Sequence, residues 1–236
     1  MSESLQEVAA RRLDAFVDAS FAFALTLLVI SGSRPLETYA DLDMALGRVP
    51  AFAVGFALLA LFWSAHRRFG RMTAARDGAI TLISLMIVFT VMIYVFPLRL
   101  LAETGASWMT GGLVPGRERI TTLGDLRGIF VSYGLGFAFL SGLYVLLHHV
   151  ARTTAVDVPS RLALVRGRDI WVICGSAGLA SATLAALPLL RHTPWLPGFA
   201  YWLIPAGIGL YYWRIGKRPV GDEPVPVQSP RPEAPV

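Results

Sequence analysis

An acidic side chain lies inside a long apolar stretch near the start of the chain. Residues 12–30 read RLDAFVDASFAFALTLLVI, which places the carboxylate of Asp18 within a run long enough to cross a bilayer. An unpaired carboxylate at membrane depth costs about 2.5–3.5 kcal/mol, and ionisable residues in such segments commonly mark functional sites. Asp18 is therefore the first candidate for a functional residue.

The same segment predicts an amphipathic helix with two distinct faces. At about 100° per residue, one face carries Phe16, Ser20, Phe23, Leu27 and Ile30. Thr26 lies at the margin of this face, and Asp18 points nearly the opposite way. The apolar face either meets lipid or a neighbouring helix, or it converges with identical faces of other subunits on an axis. In the second case, a ring of Phe, Leu and Ile could gate a pore by dewetting.

The end of the second apolar segment offers partners for Asp18. It reads Phe62-Trp63-Ser64-Ala65-His66, and the two ring N–H donors of Trp63 and His66 are three residues apart, on one helix face. A carboxylate that accepts those hydrogen bonds would be satisfied and would fasten the first helix to the second. Arg12 is a further candidate partner. The alternative is that Trp63 and His66 are ordinary residues of the membrane–water interface.

The composition predicts a polytopic membrane protein. Hydrophobic residues make up 55% of the 236 residues and charged residues 16%, against about 25% charged residues in soluble domains. Six segments approach the ~20 apolar residues that a span requires, at 13–31, 46–66, 78–101, 129–151, 169–190 and 196–215. The connection between the third and fourth segments, about 102–128, is expected to be an irregular loop.

The distribution of basic residues predicts the orientation. About two thirds of the 21 Lys and Arg residues lie on the side of both termini, so the positive-inside rule places both termini in the cytoplasm. The polar first ten residues do not resemble a cleavable signal peptide. Residues 1–218 are predicted to form one membrane domain in the cell membrane, and the proline-rich residues 219–236 a disordered cytoplasmic tail.

Other chemistry finds little support in the sequence. The net charge of +5 is not gathered into a basic stripe, which argues against nucleic-acid binding. His148 and His149 are adjacent and point to different faces, so no metal site is expected. Walker, nucleophile-elbow and zinc-protease motifs are absent from the sequence, and we expect no cofactor and no enzymatic activity. The Phe16-to-Ile30 pattern occurs once, so a function that needs several copies requires oligomerisation.

The two motifs together resemble a known family. The run Arg-x-x-x-Phe-x-Asp…Phe-Ala-x-x-x-Thr-Leu-Leu-Val, followed by Phe-Trp-x-x-His, is similar to the endolysosomal potassium-channel family, transmembrane protein 175, in its single-repeat prokaryotic form. The resemblance covers about residues 12–31 and 50–69. The family's Phe-Ser-Asp signature stands here as Phe16-Val17-Asp18, and Phe23 replaces its usual isoleucine.

The resemblance implies an all-α membrane protein, a homotetramer of subunits with six transmembrane helices. The first helix would line a central pore that has no re-entrant filter. Phe23, Leu27 and Ile30 would form the pore constriction, and the Thr26 hydroxyl would favour potassium ions. A structural polar network would consist of Arg12, Asp18, Trp63 and His66.

These observations lead to three hypotheses. The first is a passive cation channel, selective for potassium over sodium and gated by a hydrophobic constriction on the first helix. The second is a proton-leak channel or a proton-coupled transporter that uses Asp18 and His66. The third is a structural membrane protein that does not conduct. The bulky ring of Phe23 supports this hypothesis, because it could close the pore.

Overall fold

The computed structural model describes residues 5–30, 37–73, 77–114, 120–155 and 157–216. Every regular element in these ranges is helical. The α-helices are α1 (Leu5–Ile30), α2 (Tyr39–Gly47), α3 (Val49–Met72), α4 (Gly78–Met109), α5 (Leu123–Thr154), α6 (Val158–Ala186), α7 (Leu196–Phe199) and α8 (Leu203–Gly216). Two short 3₁₀ turns, Pro188–Arg191 and Ala200–Trp202, lie before α7 and between α7 and α8. The predicted tail, 219–236, lies outside the described residues.

Five helices are long and apolar enough to cross a membrane, namely α1, α3, α4, α5 and α6. They confirm the prediction of a multi-pass, all-α membrane protein. The sixth predicted span, 196–215, is divided into α7, a 3₁₀ turn and the 14-residue α8. A 14-residue helix is about 21 Å long, against a hydrocarbon core of about 30 Å. A sixth membrane crossing therefore stays a prediction.

The helices extend beyond the apolar segments that predicted them. The connection predicted at about 102–128 is shorter at both ends, because α4 continues to Met109 and α5 begins at Leu123. Gly111 and Gly112, with φ angles of 64° and 96°, turn the chain away after α4. α5 then begins at a capping box, in which the side chain of Thr122 accepts from the backbone N–H of Asp125 and the Asp125 carboxylate accepts from that of Thr122. Hydropathy thus located these helices but not their ends.

Aromatic rings form the centre of the helix bundle. Phe62 of α3 is fully buried, and its ring centroid lies 5.8–6.3 Å from the rings of Tyr94, Phe137, Tyr144 and Trp171 on α4, α5 and α6. The Tyr144 hydroxyl also donates to the backbone oxygen of Phe62, at 2.7 Å. The aromatic contacts fix α3 against three other helices, so α3 offers α1 a rigid surface on which to pack.

Small residues bring α5 and α6 into close contact. A Cβ atom added at Gly134 of α5 would lie 2.7 Å from the backbone oxygen of Gly178, and one added at Gly178 of α6 would lie 2.8 Å from that of Gly134. Both glycines are buried. The two backbones therefore approach so closely that neither position has room for a side chain, as small-xxx-small packing predicts.

We expect Gly178→Ala to destabilise the protein because its methyl group would clash with backbone rather than with a flexible side chain. Overpacking of this kind costs about 1–3 kcal/mol. Gly142→Ala is the matched control, since a Cβ atom there meets nothing within 4 Å. Thermal unfolding of the detergent-solubilised protein measures both changes. Equal melting temperatures for the two variants would contradict the close approach of α5 and α6.

Candidate functional site

The helix α1 has one face that is packed against the bundle. Val17, Phe21, Ala24 and Leu28 recur every three or four residues and are at most 3% exposed. α1 packs on α3 and α4. Leu28 fits against Gly55 of α3, where an added Cβ atom would come within 3.0 Å of the leucine Cδ2. This face is therefore the structural side of the helix.

The apolar face predicted from the sequence lies mostly on the unpacked side of α1. Phe16, Phe23 and Ile30 are 53%, 53% and 58% exposed. Leu27 is half-buried and contacts the core. Ser20 is buried, and its hydroxyl donates to the backbone oxygen of Phe16 at 2.8 Å. The structure thus leaves three large apolar side chains uncovered along the length of one helix.

Thr26 lies on the exposed side of α1 as well. Its hydroxyl donates a hydrogen bond to the backbone oxygen of Ala22, at 3.1 Å. A hydroxyl that donates its proton keeps two acceptor lone pairs. The bond to Ala22 therefore orients the Thr26 oxygen and leaves it able to accept a further contact.

Asp18 is bound to the second apolar segment, as the sequence suggested. The indole Nε1–H of Trp63 donates to Asp18 Oδ1 at 2.8 Å. The guanidinium of Arg67 lies over the ring of Trp63, 4.8 Å from its centroid, a cation–π geometry. The carboxylate, the indole and the guanidinium form a continuous chain of contacts that ties α1 to α3.

The other two residues of the predicted polar network are His66 and Arg12. His66 is 3% exposed, and its Nε2 atom lies 3.2 Å from Ser84 Oγ on α4. Arg12 is exposed. In the described part of the chain, no hydrogen bond or ion pair joins Arg12 to Asp18. The structure therefore brings Asp18 and Trp63 together and directs His66 towards α4.

Sequence reasoning missed one polar feature near α1. Arg99 and Glu103 of α4 form an ion pair with 2.7 Å between Nε and Oε1. Arg99 Nη1 also lies 3.2 Å from the backbone oxygens of Leu28 and Val29, in the last turn of α1. The i,i+4 spacing of the two charges is the signal in the sequence, but Glu103 falls within the predicted loop.

Candidate metal ligands are dispersed over the part of the chain that the structure describes. Among the described residues, His, Cys, Asp and Glu do not form a group of three that could hold a metal ion. The Nδ1 atom of His148 is 2.8 Å from the backbone oxygen of Tyr144, and His149 is exposed. The chemistry near α1 is that of ring N–H donors, a carboxylate and exposed apolar side chains.

These features define a multi-pass helical membrane protein whose first spanning helix has an uncovered apolar face. Comparison with known proteins finds a family model that is similar to part of the chain. Residues 12–97 match the family model described as endosomal/lysosomal potassium channel TMEM175. The match contains both motifs that carried the resemblance, so the resemblance to the TMEM175 family is confirmed over these residues.

Two relatives and a solved structure show the same similarity. The chain is 34% identical over 131 residues to a potassium channel of Marivirga tractuosa, covering 53% of this chain and 52% of that protein. It is 32% identical over 110 residues to a potassium channel of Chamaesiphon minutus, covering 44% of this chain and 54% of that protein. The chain therefore spans about half the length of these curated relatives. A crystal structure of a variant of the potassium channel MtTMEM175 superposes with a TM-score of 0.75, at 27% identity, and covers 87% of this chain and 92% of that one.

Proposed function

We propose that this protein is a passive cation channel, selective for potassium over sodium, whose conduction path is lined by α1. The observation that carries the proposal is the exposure of Phe16, Phe23 and Ile30 on a helix whose opposite face is packed. The relatives named as potassium channels support the choice of ion. The channel would lie in the cell membrane with six spans per subunit and both termini in the cytoplasm.

A pore lined by α1 requires several copies of the chain, because one helix cannot enclose a path. A homotetramer would gather four α1 helices around an axis and cover their exposed faces. Phe23 and Ile30 are seven residues apart, which corresponds to about 10 Å along the helix axis. Rings of Phe23, Leu27 and Ile30 would thus form an apolar neck of that length, which excludes water when it is narrow.

Ion flux from reconstituted vesicles tests the proposal. Vesicles that contain the protein should release potassium faster than sodium down equal gradients, and empty vesicles should release neither. Flux of protons alone would instead favour the leak or transporter hypothesis. The bond from Trp63 to Asp18 and the burial of His66 do not favour that alternative. Vesicles that release none of the three ions would overturn the channel assignment.

Cross-linking of the protein in native membranes tests the assembly separately. The proposal predicts a ladder of covalent products that ends at four subunits. A chain that remains monomeric under conditions that cross-link a known tetramer would exclude a pore built from α1.

Thr26→Val should reduce the ratio of potassium to sodium permeability and leave assembly intact. The substitution is nearly isosteric and removes the only hydroxyl between Phe23 and Ile30. Potassium gives up its water more readily than sodium, so an oxygen in an apolar neck favours potassium. Thr183→Val is the matched control, because Thr183 is also exposed and back-bonded, to the backbone oxygen of Leu179 at 2.8 Å. If Thr26→Val kept the wild-type ratio of potassium to sodium permeability, the hydroxyl would have no role in selectivity beyond its bond to Ala22.

A further inference from the structure

A buried ion pair of α4 reaches the last turn of α1. The side chains of Arg99 and Glu103 are 13% and 4% exposed, so both charges are largely withdrawn from solvent. The guanidinium binds a carboxylate of its own helix through Nε and faces two backbone oxygens of α1 through Nη1. Those oxygens belong to Leu28 and Val29, which are about 70 residues away in the sequence. The pair therefore connects two spanning helices at one end of the candidate pore.

The geometry is that of a helix cap supplied by another helix. The last carbonyl groups of an α-helix lack partners within the helix, and they form the negative end of its dipole. Basic side chains commonly satisfy them, but the last turn of α1 contains no basic residue. Arg99 supplies both the hydrogen-bond donors and the positive charge. Glu103 balances that charge and holds the planar guanidinium in one orientation.

Few side chains at the end of α1 pack against the rest of the bundle. Leu28 is the last residue of the packed face, whereas Val29 and Ile30 are 51% and 58% exposed. Backbone bonds from Arg99 act on this same turn. The Ile30 side chain, the outermost member of the proposed constriction, belongs to this same turn, so its position depends on the hydrogen bonds of Arg99 to the backbone.

We propose that Arg99, oriented by Glu103, is a positioning residue that holds the last turn of α1 and thereby sets the geometry of the constriction at Ile30. This inference rests on the proposed function, in which α1 lines the conduction path. Arg99 acts through the backbone of Leu28 and Val29, and its burial keeps the charge away from the permeating ions.

Hydrogen–deuterium exchange of the full-length protein in lipid nanodiscs tests the cap without reference to conduction. Arg99→Gln removes the charge, and we expect exchange across residues 24–30 to become about ten-fold faster, as the loss of charged hydrogen bonds predicts. Exchange across residues 14–20 should be unchanged. Arg99→Lys keeps the charge without the planar fork and should rescue the effect in part. Arg127→Gln, which removes an exposed arginine of α5, is the matched control.

Ion flux through the same variants tests whether Arg99 sets the geometry of the constriction. Arg99→Gln should lower the potassium-to-sodium ratio by at least about two-fold, and its effect should not add to that of Ile30→Ala, because both changes act on one turn. Faster exchange with an unchanged ratio would overturn the positioning role. Unchanged exchange would overturn the cap itself. If the wild-type protein conducts no ions, the proposed function fails, and the exchange experiment still decides whether Arg99 caps α1.

A charge swap separates a cap from a simple ion pair. The double variant Arg99→Glu, Glu103→Arg restores the pair but places a carboxylate against the backbone oxygens of Leu28 and Val29. We expect it not to restore slow exchange at residues 24–30. Full restoration would overturn the proposal. If the swap does not assemble, Glu103→Gln is the second variant, since it leaves the arginine in place; we expect intermediate exchange there, and wild-type exchange would remove Glu103 from the proposal.

Discussion

Phe23→Ala should increase ion flux about ten-fold and reduce the preference for potassium over sodium. Phe23 is half-exposed at the centre of the uncovered face of α1, and a tetramer would place four of its rings at one level of the path. Removing them widens the apolar neck and admits water, which lowers the barrier to a hydrated ion. A ten-fold increase corresponds to a barrier lower by about 1.4 kcal/mol.

The matched control is Phe139→Ala on α5. Phe139 is 55% exposed, so the two variants lose the same side chain at nearly equal exposure, but the control position is not on α1. Flux and the potassium-to-sodium ratio are measured in the same vesicle preparation, with the protein content of the vesicles matched. Wild-type flux and selectivity in Phe23→Ala would remove Phe23 from the constriction, and an equal increase in Phe139→Ala would attribute the effect to general loosening.

The sequence predicted the spanning helices well because their physical signal is local. Hydrophobic periodicity separated Asp18 from the face that contains Phe16 and Phe23, and the structure places the carboxylate against Trp63. The three-residue spacing of Trp63 and His66 suggested a shared partner. The structure places the Trp63 indole on Asp18 and the His66 ring beside Ser84 of α4. A helix face is about 100° wide, and residues three apart can contact different neighbours within it.

The contact of Arg99 with the end of α1 has no signal in the sequence. Arg99 and Glu103 neutralise one another within α4, so this helix continues where falling hydropathy indicated a loop. The acceptors of Arg99 are backbone oxygens, which have no sequence signature. The last apolar segment shows the converse case, because its hydropathy is continuous while α7 and α8 are separate. Pro205 has no N–H to bond the backbone oxygen of Tyr201, so regular α-helical hydrogen bonding does not continue from α7 into α8.

Asp18→Asn should destabilise the protein and leave the conduction path itself intact. Asp18 lies on the side of α1 away from Phe23, and Trp63 donates to it at 2.8 Å. Asparagine keeps the shape but loses the charge, and hydrogen bonds to charged groups contribute about 1.5–3 kcal/mol. The melting temperature and the fraction of assembled protein should therefore fall. Asp43→Asn, which alters an exposed acid of α2, is the matched control.

A double-mutant cycle identifies the partner of Asp18. Trp63→Phe removes the indole donor while retaining an aromatic ring, and its effect on unfolding should not add to that of Asp18→Asn, because either change breaks the same bond. A second cycle with His66→Ala tests whether the four-residue network predicted from the sequence forms in the assembled protein. A coupling energy above about 0.5 kcal/mol supports it. If Asp18→Asn assembled and melted as the wild type does but altered ion selectivity, the carboxylate would face the path, and the proposed orientation of α1 would be wrong.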